Sequence, residues 1–125
     1  MNNGDYGLEL ILDIYECDET LFTRETLTRY FKELCDKIDM VRCDLHFWDD
    51  LDTPDHLKET EPHLVGTSAI QFIKTSNVTI HTLDILKRVY LNIFSCKDFD
   101  PEVAKQFSEE FFKGKTINSQ IVRRI

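Results

Sequence analysis

Apolar and polar residues alternate with a period of two in several stretches of the chain, a pattern typical of β-strands with one buried face. The first such stretch covers residues 8–15, where the even-numbered positions are all apolar. The same pattern predicts strands over residues 41–47, 66–73, 77–82 and 89–96, and it allows an edge strand over residues 117–125. Because only residues 74–76 separate the third strand from the fourth, these two are expected to form a tight hairpin.

Two other stretches have apolar residues three and four positions apart, as in an amphipathic helix. The first starts after Thr23, whose hydroxyl can cap a helix, and is expected to end near Asp39. The second starts at Asp100-Pro101-Glu102, which combines a capping side chain, a proline at the first helical position and an acidic first turn. Gly114 is expected to close it.

The order of these elements predicts an α+β fold, a two-layer sandwich of a mostly antiparallel sheet with two helices on one face. The length of 125 residues favours a single domain spanning residues 1–125. The other face of the sheet also needs cover, and a second copy of the chain is the simplest candidate, so we expect a homodimer.

Residues 48–65 interrupt the pattern with six acidic side chains, two prolines and no apolar periodicity. They predict a long loop with one helical turn near His56, and loops of this length in compact domains are usually functional. His56 and His63 have no partners at ligand spacing and are expected to be solvated. We interpret the segment as an acidic loop insertion.

Charge and cysteine content restrict the partners. The chain has 15 lysines and arginines against 23 aspartates and glutamates, and its net charge of −8 argues against nucleic acid. No stretch is apolar for the length that a bilayer requires, and the first residues do not resemble a secretion signal. We therefore expect a cytoplasmic protein with no membrane contact. The four cysteines lack zinc-site spacing, so reduced thiols and no metal are expected.

Four residues near the predicted hairpin could carry chemistry: Ser68, Ser76, His81 and Cys96. Taken singly, each has an ordinary structural explanation. A serine is common in a turn, a histidine on a strand is usually structural, and a cysteine at a strand end is usually a small buried apolar residue. No Gly-x-Ser-x-Gly motif supports a hydrolase.

Their combined spacing is more specific. The order is Gly66-x-Ser68, then Ser76 eight residues later, then His81-Thr82, and finally Phe94-x-Cys96 before an Asp-Pro helix. This order of motifs resembles that of the small prokaryotic S-adenosylmethionine decarboxylases. The resemblance extends to the start of the chain, where Gly7, Leu10, Asp13, Tyr15 and Cys17-Asp18 follow the family pattern. It therefore covers nearly the whole chain apart from the acidic loop.

The resemblance implies a pyruvoyl enzyme that forms by self-cleavage between Thr75 and Ser76. Ser76 would become the covalent pyruvoyl cofactor, Ser68 and His81 would assist processing, and Cys96 would be the proton donor to the product. The implied substrate is S-adenosylmethionine or a related amino acid, and the product would feed polyamine (spermidine) synthesis. Such chemistry is coherent, because decarboxylation leaves a carbanion and a ketone that condenses with the substrate amine supplies the electron sink.

The chain also differs from the family pattern at two places. Thr75-Ser76-Asn77 stands where the family typically has Glu-Ser-His, and Leu83-Asp84-Ile85 stands where it has Trp-Pro-Glu. Two alternatives therefore remain open. The chain could be an unprocessed, non-catalytic relative that serves as a binding or regulatory protein, or it could share only the fold, with the acidic loop forming a new site.

Overall fold

The structure, a computed structural model, describes residues 4–125; the predicted domain limits include residues 1–3, which lie outside the described part. The main elements in chain order are β1 (Gly7–Tyr15), α1 (Arg24–Lys37), β2 (Arg42–Trp48), β3 (Gly66–Ile73), β4 (Ser76–Leu83), β5 (Arg88–Ser95), α2 (Pro101–Phe112) and β6 (Lys115–Arg124). The predicted helices and strands are all present, with ends shifted by a few residues. The acidic segment holds one short 3-10 turn, Asp55–Leu57.

The six strands form one sheet in the order β2-β3-β4-β5-β1-β6, and every neighbouring pair is antiparallel. The predicted α+β two-layer sandwich is confirmed. β6 pairs with β1 and forms one edge, as the sequence allowed. Since β4 lies between β3 and β5, the hairpin that starts β4 adjoins the end of β5.

The core lies between the helices and one face of the sheet. In β1 the even-numbered side chains from Leu8 to Ile14 are all buried, as their alternation predicts. Thr23 caps α1 by accepting a hydrogen bond from the backbone N–H of Thr26 at 3.1 Å. The hydroxyls of Tyr30 and Ser108 lie 2.7 Å apart and join the two buried helix faces. Burial of these apolar faces is the main source of stability.

The end of α2 differs from the sequence prediction. Lys113, rather than Gly114, takes the left-handed conformation that ends the helix, with φ at 54°. Gly114 is needed for a different reason, because a Cβ there would lie 2.6 Å from the sulfur of Cys17 and 2.6 Å from Cγ2 of Ile14. The glycine allows the chain to pass close to β1 as β6 begins.

The face of the sheet opposite the helices, here called the open face, mixes polar and apolar side chains. Asn92 donates a hydrogen bond to Glu9 at 2.7 Å, and Asn118 donates one to Asp13 at 2.9 Å. Phe72, on the same face, is 42% exposed. Within residues 4–125 neither helix covers this face.

The acidic segment is fastened to the rest of the fold at two points. The guanidinium of Arg24 binds the carboxylate of Asp49 through two contacts of 2.7 Å. The carbonyl oxygen of Val65 accepts a hydrogen bond from the backbone N–H of Asp84 at 3.0 Å. The two ends of the segment are therefore tied to α1 and to the residue that follows β4. In the described part of the chain, no helix has both the length and the apolar character needed to cross a bilayer.

Candidate active site

Ser76 and Cys96 meet at the end of the sheet nearest the 74–75 turn. Ser76 is the first residue of β4, and Cys96 follows β5 directly, so the antiparallel pairing of the two strands places them side by side. The backbone N–H of Cys96 donates to Oγ of Ser76 at 3.0 Å, and the Ser76 hydroxyl donates to Sγ of Cys96 at 3.4 Å. Ser76 is 6% exposed.

Thr75 completes this cluster and has an unusual backbone. Ile73 pairs with Ser76, so the hairpin turn contains only Lys74 and Thr75. The φ angle of Thr75 is 51°, a left-handed conformation that a β-branched residue rarely adopts because of steric crowding. Its Oγ1 lies 3.0 Å from the sulfur of Cys96. The peptide bond before Ser76 thus follows a strained residue that is held beside the thiol.

The surroundings lower the pKa of the Cys96 thiol from its ordinary value. The main cause is the hydrogen bond from the Ser76 hydroxyl, followed by the hydrogen bond between the thiol and the Thr75 hydroxyl. A cavity of 440 Å³, the turn cavity, lies beside the cluster. Its lining residues are Asp39, Met40, Val41, Ile73, Lys74, Thr75, Ser76, Ser95, Cys96 and Lys97. Ser76 and Cys96 are thus placed to act on a small molecule.

Ser68 and His81 form a second pair, in the middle of the sheet. The two residues face each other across the β3–β4 ladder, and Oγ of Ser68 lies 2.7 Å from Nδ1 of His81. His81 shares a strand face with Thr79, as alternation predicts, and this is the open face. The serine hydroxyl holds the imidazole in one orientation through Nδ1.

This pair belongs to a row of side chains that crosses the sheet on the open face. In register, Trp48 lies opposite Ser68, Ser68 opposite His81, and His81 opposite Tyr90. A cavity of 340 Å³, the loop cavity, lies over the row. Its lining residues are Trp48, Glu59, His63, Leu64, Gly66, Ser68, His81, Thr82, Leu83 and Tyr90. The acidic segment therefore forms one wall of a cavity above the Ser68–His81 pair.

The four residues predicted from the sequence thus form two pairs rather than one cluster. Ser76 and His81 are five residues apart on β4, which corresponds to roughly 17 Å along a strand. An odd separation also places their side chains on opposite faces, and Ser76 is buried where His81 is exposed. Within one chain, neither His81 nor Ser68 can contact Ser76 or Cys96.

Sequence reasoning missed several residues of these sites. Trp48, Glu59 and Tyr90 each line the loop cavity. Trp48 and Tyr90 could have been found by extending the strand register from Ser68 and His81. His63, expected to be solvated, is exposed and contacts Glu61 at 3.3 Å while also lining the loop cavity.

The segment that departs from the family pattern lies beside the loop cavity. Leu83 lines the cavity, and Ile85 is exposed. The backbone N–H of Asp84 donates to the carbonyl oxygen of Val65 at 3.0 Å. Burial, and then the negative charges of Asp50 and Glu19, raise the pKa of the Asp84 carboxyl. Among residues 4–125, no group of three or more acidic, histidine or cysteine side chains is arranged to hold a metal ion.

Comparison with known proteins identifies the family. The family model for S-adenosylmethionine decarboxylase matches residues 8–125. This chain belongs to the S-adenosylmethionine decarboxylase family. The fold agrees: the crystal structure of the adenosylmethionine decarboxylase from Aquifex aeolicus VF5 superposes with a TM-score of 0.75 at 16% sequence identity, covering 96% of this chain and 91% of that one.

A search of curated proteins finds no significant match. The family match includes the acidic segment as well as the sheet and both helices. The resemblance noted from the sequence is therefore confirmed at the level of family and fold, which are those of a carboxy-lyase.

Proposed function

We propose that the chain is a pyruvoyl-dependent decarboxylase of S-adenosylmethionine or a related amino acid, and that it becomes active by self-cleavage between Thr75 and Ser76. The observation that carries this proposal is the contact between the Ser76 hydroxyl and the Cys96 thiol at 3.4 Å, next to the left-handed Thr75. The hydroxyl that would form the cofactor and the thiol that would donate the proton are already within reach of each other.

The first covalent steps use only groups of this chain. Oγ of Ser76 attacks the carbonyl carbon of Thr75, the bond from that carbon to the Ser76 nitrogen breaks, and an ester and a free amine result. A base then removes the Ser76 Cα proton as the Cβ–Oγ bond breaks, which releases Thr75 as a carboxylate. The remaining enamine tautomerises to an imine, and water replaces its nitrogen to give a ketone and ammonia. The strain at Thr75 favours the first step, because cleavage frees its backbone.

The completed site would then work on an amino-acid substrate. The pyruvoyl ketone supplies an electron sink for the carbanion that decarboxylation leaves. Cys96 delivers a proton to that carbanion, since its sulfur lies beside the first residue of β4 and faces the turn cavity. The product, an amine, would enter polyamine synthesis, which takes place in the cytoplasm.

The base for processing must come from outside the chain that holds Ser76. His81 and Ser68 lie on the open face, on the other side of β4. We propose that two copies form a homodimer in which the end of one sheet, with Ser76 and Cys96, meets His81 and Ser68 on the open face of the other. The polar side chains on this face, such as Asn92 and Glu9, would find further partners there.

An unprocessed binding or regulatory protein is the second candidate. Two observations favour it. In the described part of this chain no imidazole is bonded to Ser76, and the residue after that serine is Asn77. In such a protein the Ser76–Cys96 contact would be structural. The two candidates differ in one chemical property, because only a processed chain carries a ketone.

The proposal is tested by carbon dioxide release from carboxyl-labelled S-adenosylmethionine, arginine and ornithine, with Ser76→Ala as the matched control. We expect release from one of these substrates with the purified wild-type protein and none with the variant. Equal release from both, or none from either with all three substrates, would contradict the proposal.

A further inference from the structure

The peptide bond between Ser95 and Cys96, here called the 95–96 peptide, lies at the end of β5 and faces a neighbouring strand on each side. Since β5 lies between β4 and β1, the N–H and the carbonyl of a trans peptide point toward different strands. The N–H of Cys96 donates to Oγ of Ser76 in β4 at 3.0 Å. The carbonyl of Ser95 is directed at Gly7, where β1 begins. The peptide therefore links the start of β1 to the serine.

Gly7 allows this close approach because it has no side chain. A Cβ at residue 7 would overlap the carbonyl oxygen of Ser95 and would lie 3.1 Å from Cα of Cys96. Both of these neighbours are backbone atoms, so a side chain could be accommodated only if the 95–96 peptide moved. The bare Cα of Gly7 thus sets the position of the peptide on the β1 side.

Ser95 holds the same peptide from within its own strand. The preceding core-face positions of β5 are apolar and buried: Val89, Leu91 and Ile93. Ser95 continues this series and is also fully buried, and a buried hydroxyl is costly unless it is hydrogen-bonded. Its Oγ accepts from the backbone N–H of Lys97 at 2.9 Å and donates to the carbonyl oxygen of Lys97 at 2.6 Å. The side chain therefore closes a ring that fixes the backbone around Cys96.

A fixed N–H at Oγ of Ser76 suits the proposed covalent steps, because that oxygen gains negative charge in both of them. It gains charge when the hydroxyl loses its proton and attacks the carbonyl carbon of Thr75. It gains charge again when the Cβ–Oγ bond breaks and the electron pair stays on the oxygen that leaves in the Thr75 carboxylate. A donor that is already in place stabilises such charge without reorganisation. The same N–H can therefore serve both steps.

We propose that Ser95 and Gly7 are positioning residues for self-cleavage. They hold the N–H of Cys96 against Oγ of Ser76, Ser95 through its ring with Lys97 and Gly7 through the space that it leaves for the peptide. This inference rests on the proposed function, since it assigns the two residues to the cleavage reaction. The contact that they hold exists before cleavage, so it can also be measured in a chain that stays intact.

The first measurement is the rate of self-cleavage of the full chain, followed by intact mass. Ser95→Ala and Gly7→Ala should each slow it about tenfold or more, because a displaced donor stabilises the developing charge poorly. Ser95→Thr keeps the hydroxyl, which can both donate and accept, and should restore a rate within about threefold of the wild type.

Each variant has a matched control that should cleave at the wild-type rate. Ser108→Ala removes another fully buried serine hydroxyl, which contacts Tyr30 and the carbonyl of Ala104 in the helix layer. Gly114→Ala adds a methyl group that would crowd the other end of β1. These controls separate a general loss of stability from displacement of the 95–96 peptide.

The second measurement needs no cleavage and uses an intact His81→Ala chain. The reaction rate of Cys96 with iodoacetamide against pH reports its contact with Ser76, whose hydroxyl also donates to the sulfur at 3.4 Å. Adding Ser95→Ala or Gly7→Ala should shift the profile to higher pH, because moving Cys96 separates the sulfur from the hydroxyl. Adding either control substitution should leave the profile in place.

Cleavage of folded Ser95→Ala and Gly7→Ala chains at the rates of their controls would overturn the proposal, and so would unchanged alkylation profiles. If one variant does not fold, the other decides, since both displace the same peptide. If neither folds, Ser95→Cys decides, because a thiol of similar size forms only weak hydrogen bonds, and cleavage at the wild-type rate would count against the proposal. Failure of wild-type cleavage would contradict the proposed function, while the alkylation profiles would still test how the peptide is held.

Discussion

The side chains of Ser76 and His81 point to opposite faces of β4, five residues apart. Ser76 contacts Cys96 at the end of the sheet, whereas His81 contacts Ser68 on the open face. A site that needs all four residues therefore needs two chains. Two variants can therefore test whether the proposed site combines Ser76 of one chain with His81 of the other.

Co-expression of two inactive variants should restore cleavage. In a mixed dimer of Ser76→Ala and His81→Ala chains, one site combines the intact Ser76 of the second chain with the intact His81 of the first. We expect each variant alone to stay uncleaved, and we expect cleavage of the His81→Ala chain in the mixture. Mass spectrometry of differently tagged chains measures this. Cleavage of the His81→Ala chain on its own would refute a role for His81 in trans.

Thr75 should control the rate of cleavage through its backbone conformation. A left-handed non-glycine residue stores about 1–3 kcal/mol of strain, and glycine at that position stores almost none. Thr75→Gly should therefore stabilise the uncleaved chain and slow cleavage about tenfold or more. Thr75→Val keeps the β-branch and loses only the hydroxyl, so it is the control for the contact with Cys96. Equal rates for the two variants would show that strain makes no contribution.

Cys96 should react as a thiolate at lower pH before cleavage than after it. In the uncleaved chain, the Ser76 hydroxyl donates to the sulfur, and this contact, followed by the contact with the Thr75 hydroxyl, lowers the pKa of the thiol. Cleavage removes the Ser76 hydroxyl, because its oxygen leaves in the Thr75 carboxylate, and the ketone oxygen supplied by water cannot donate a hydrogen bond. The pKa of the thiol should therefore rise, and the thiol should keep its proton for catalysis. The iodoacetamide reaction rate against pH measures this on an uncleaved His81→Ala chain.

The matched control is Ser76→Ala, which also stays uncleaved but lacks the donor. Its alkylation profile should lie at higher pH than that of the His81→Ala chain. Coincident profiles would show that the Ser76 hydroxyl does not stabilise the thiolate. A shift in the opposite direction would contradict the assigned cause as well.

The end of α2 gives a prediction about stability. Gly114→Ala should lower the free energy of unfolding by about 1–3 kcal/mol, because the added methyl would crowd Cys17 and Ile14. Lys113→Gly should raise it by about 1 kcal/mol, because glycine tolerates the left-handed φ. The ion pair lost with Lys113 is long, at 4.0 Å to Asp18, and contributes little. Urea denaturation measures both, and a stabilising Gly114→Ala would contradict the packing described.

Alternation and helical periodicity were sufficient to predict the layers of this fold. The buried face of β1, the caps at Thr23 and Asp100, and the shared face of Thr79 and His81 all follow from local spacing. These features depend on side chains that are close in sequence, and burial of an apolar face reinforces each of them.

The arrangement of the candidate site could be predicted only in part. A turn of residues 74–76 was expected, but Ser76 pairs with Ile73 and the turn has two residues. That register places Thr75 at positive φ, which the β-branched side chain itself disfavours, so no local preference signals it. Trp48 reaches Ser68 only through the pairing of β2 with β3, and Glu59 reaches the cavity only through loop contacts. Such long-range contacts leave no periodic signal.

Self-cleavage between Thr75 and Ser76 is measured by the intact mass of the purified protein. We expect two fragments, residues 1–75 and residues 76–125, with the second carrying a pyruvoyl group in place of its amino-terminal serine. Ser76→Ala should remain one chain. A wild-type protein that retains the mass of the full 125-residue chain after prolonged incubation would contradict self-cleavage.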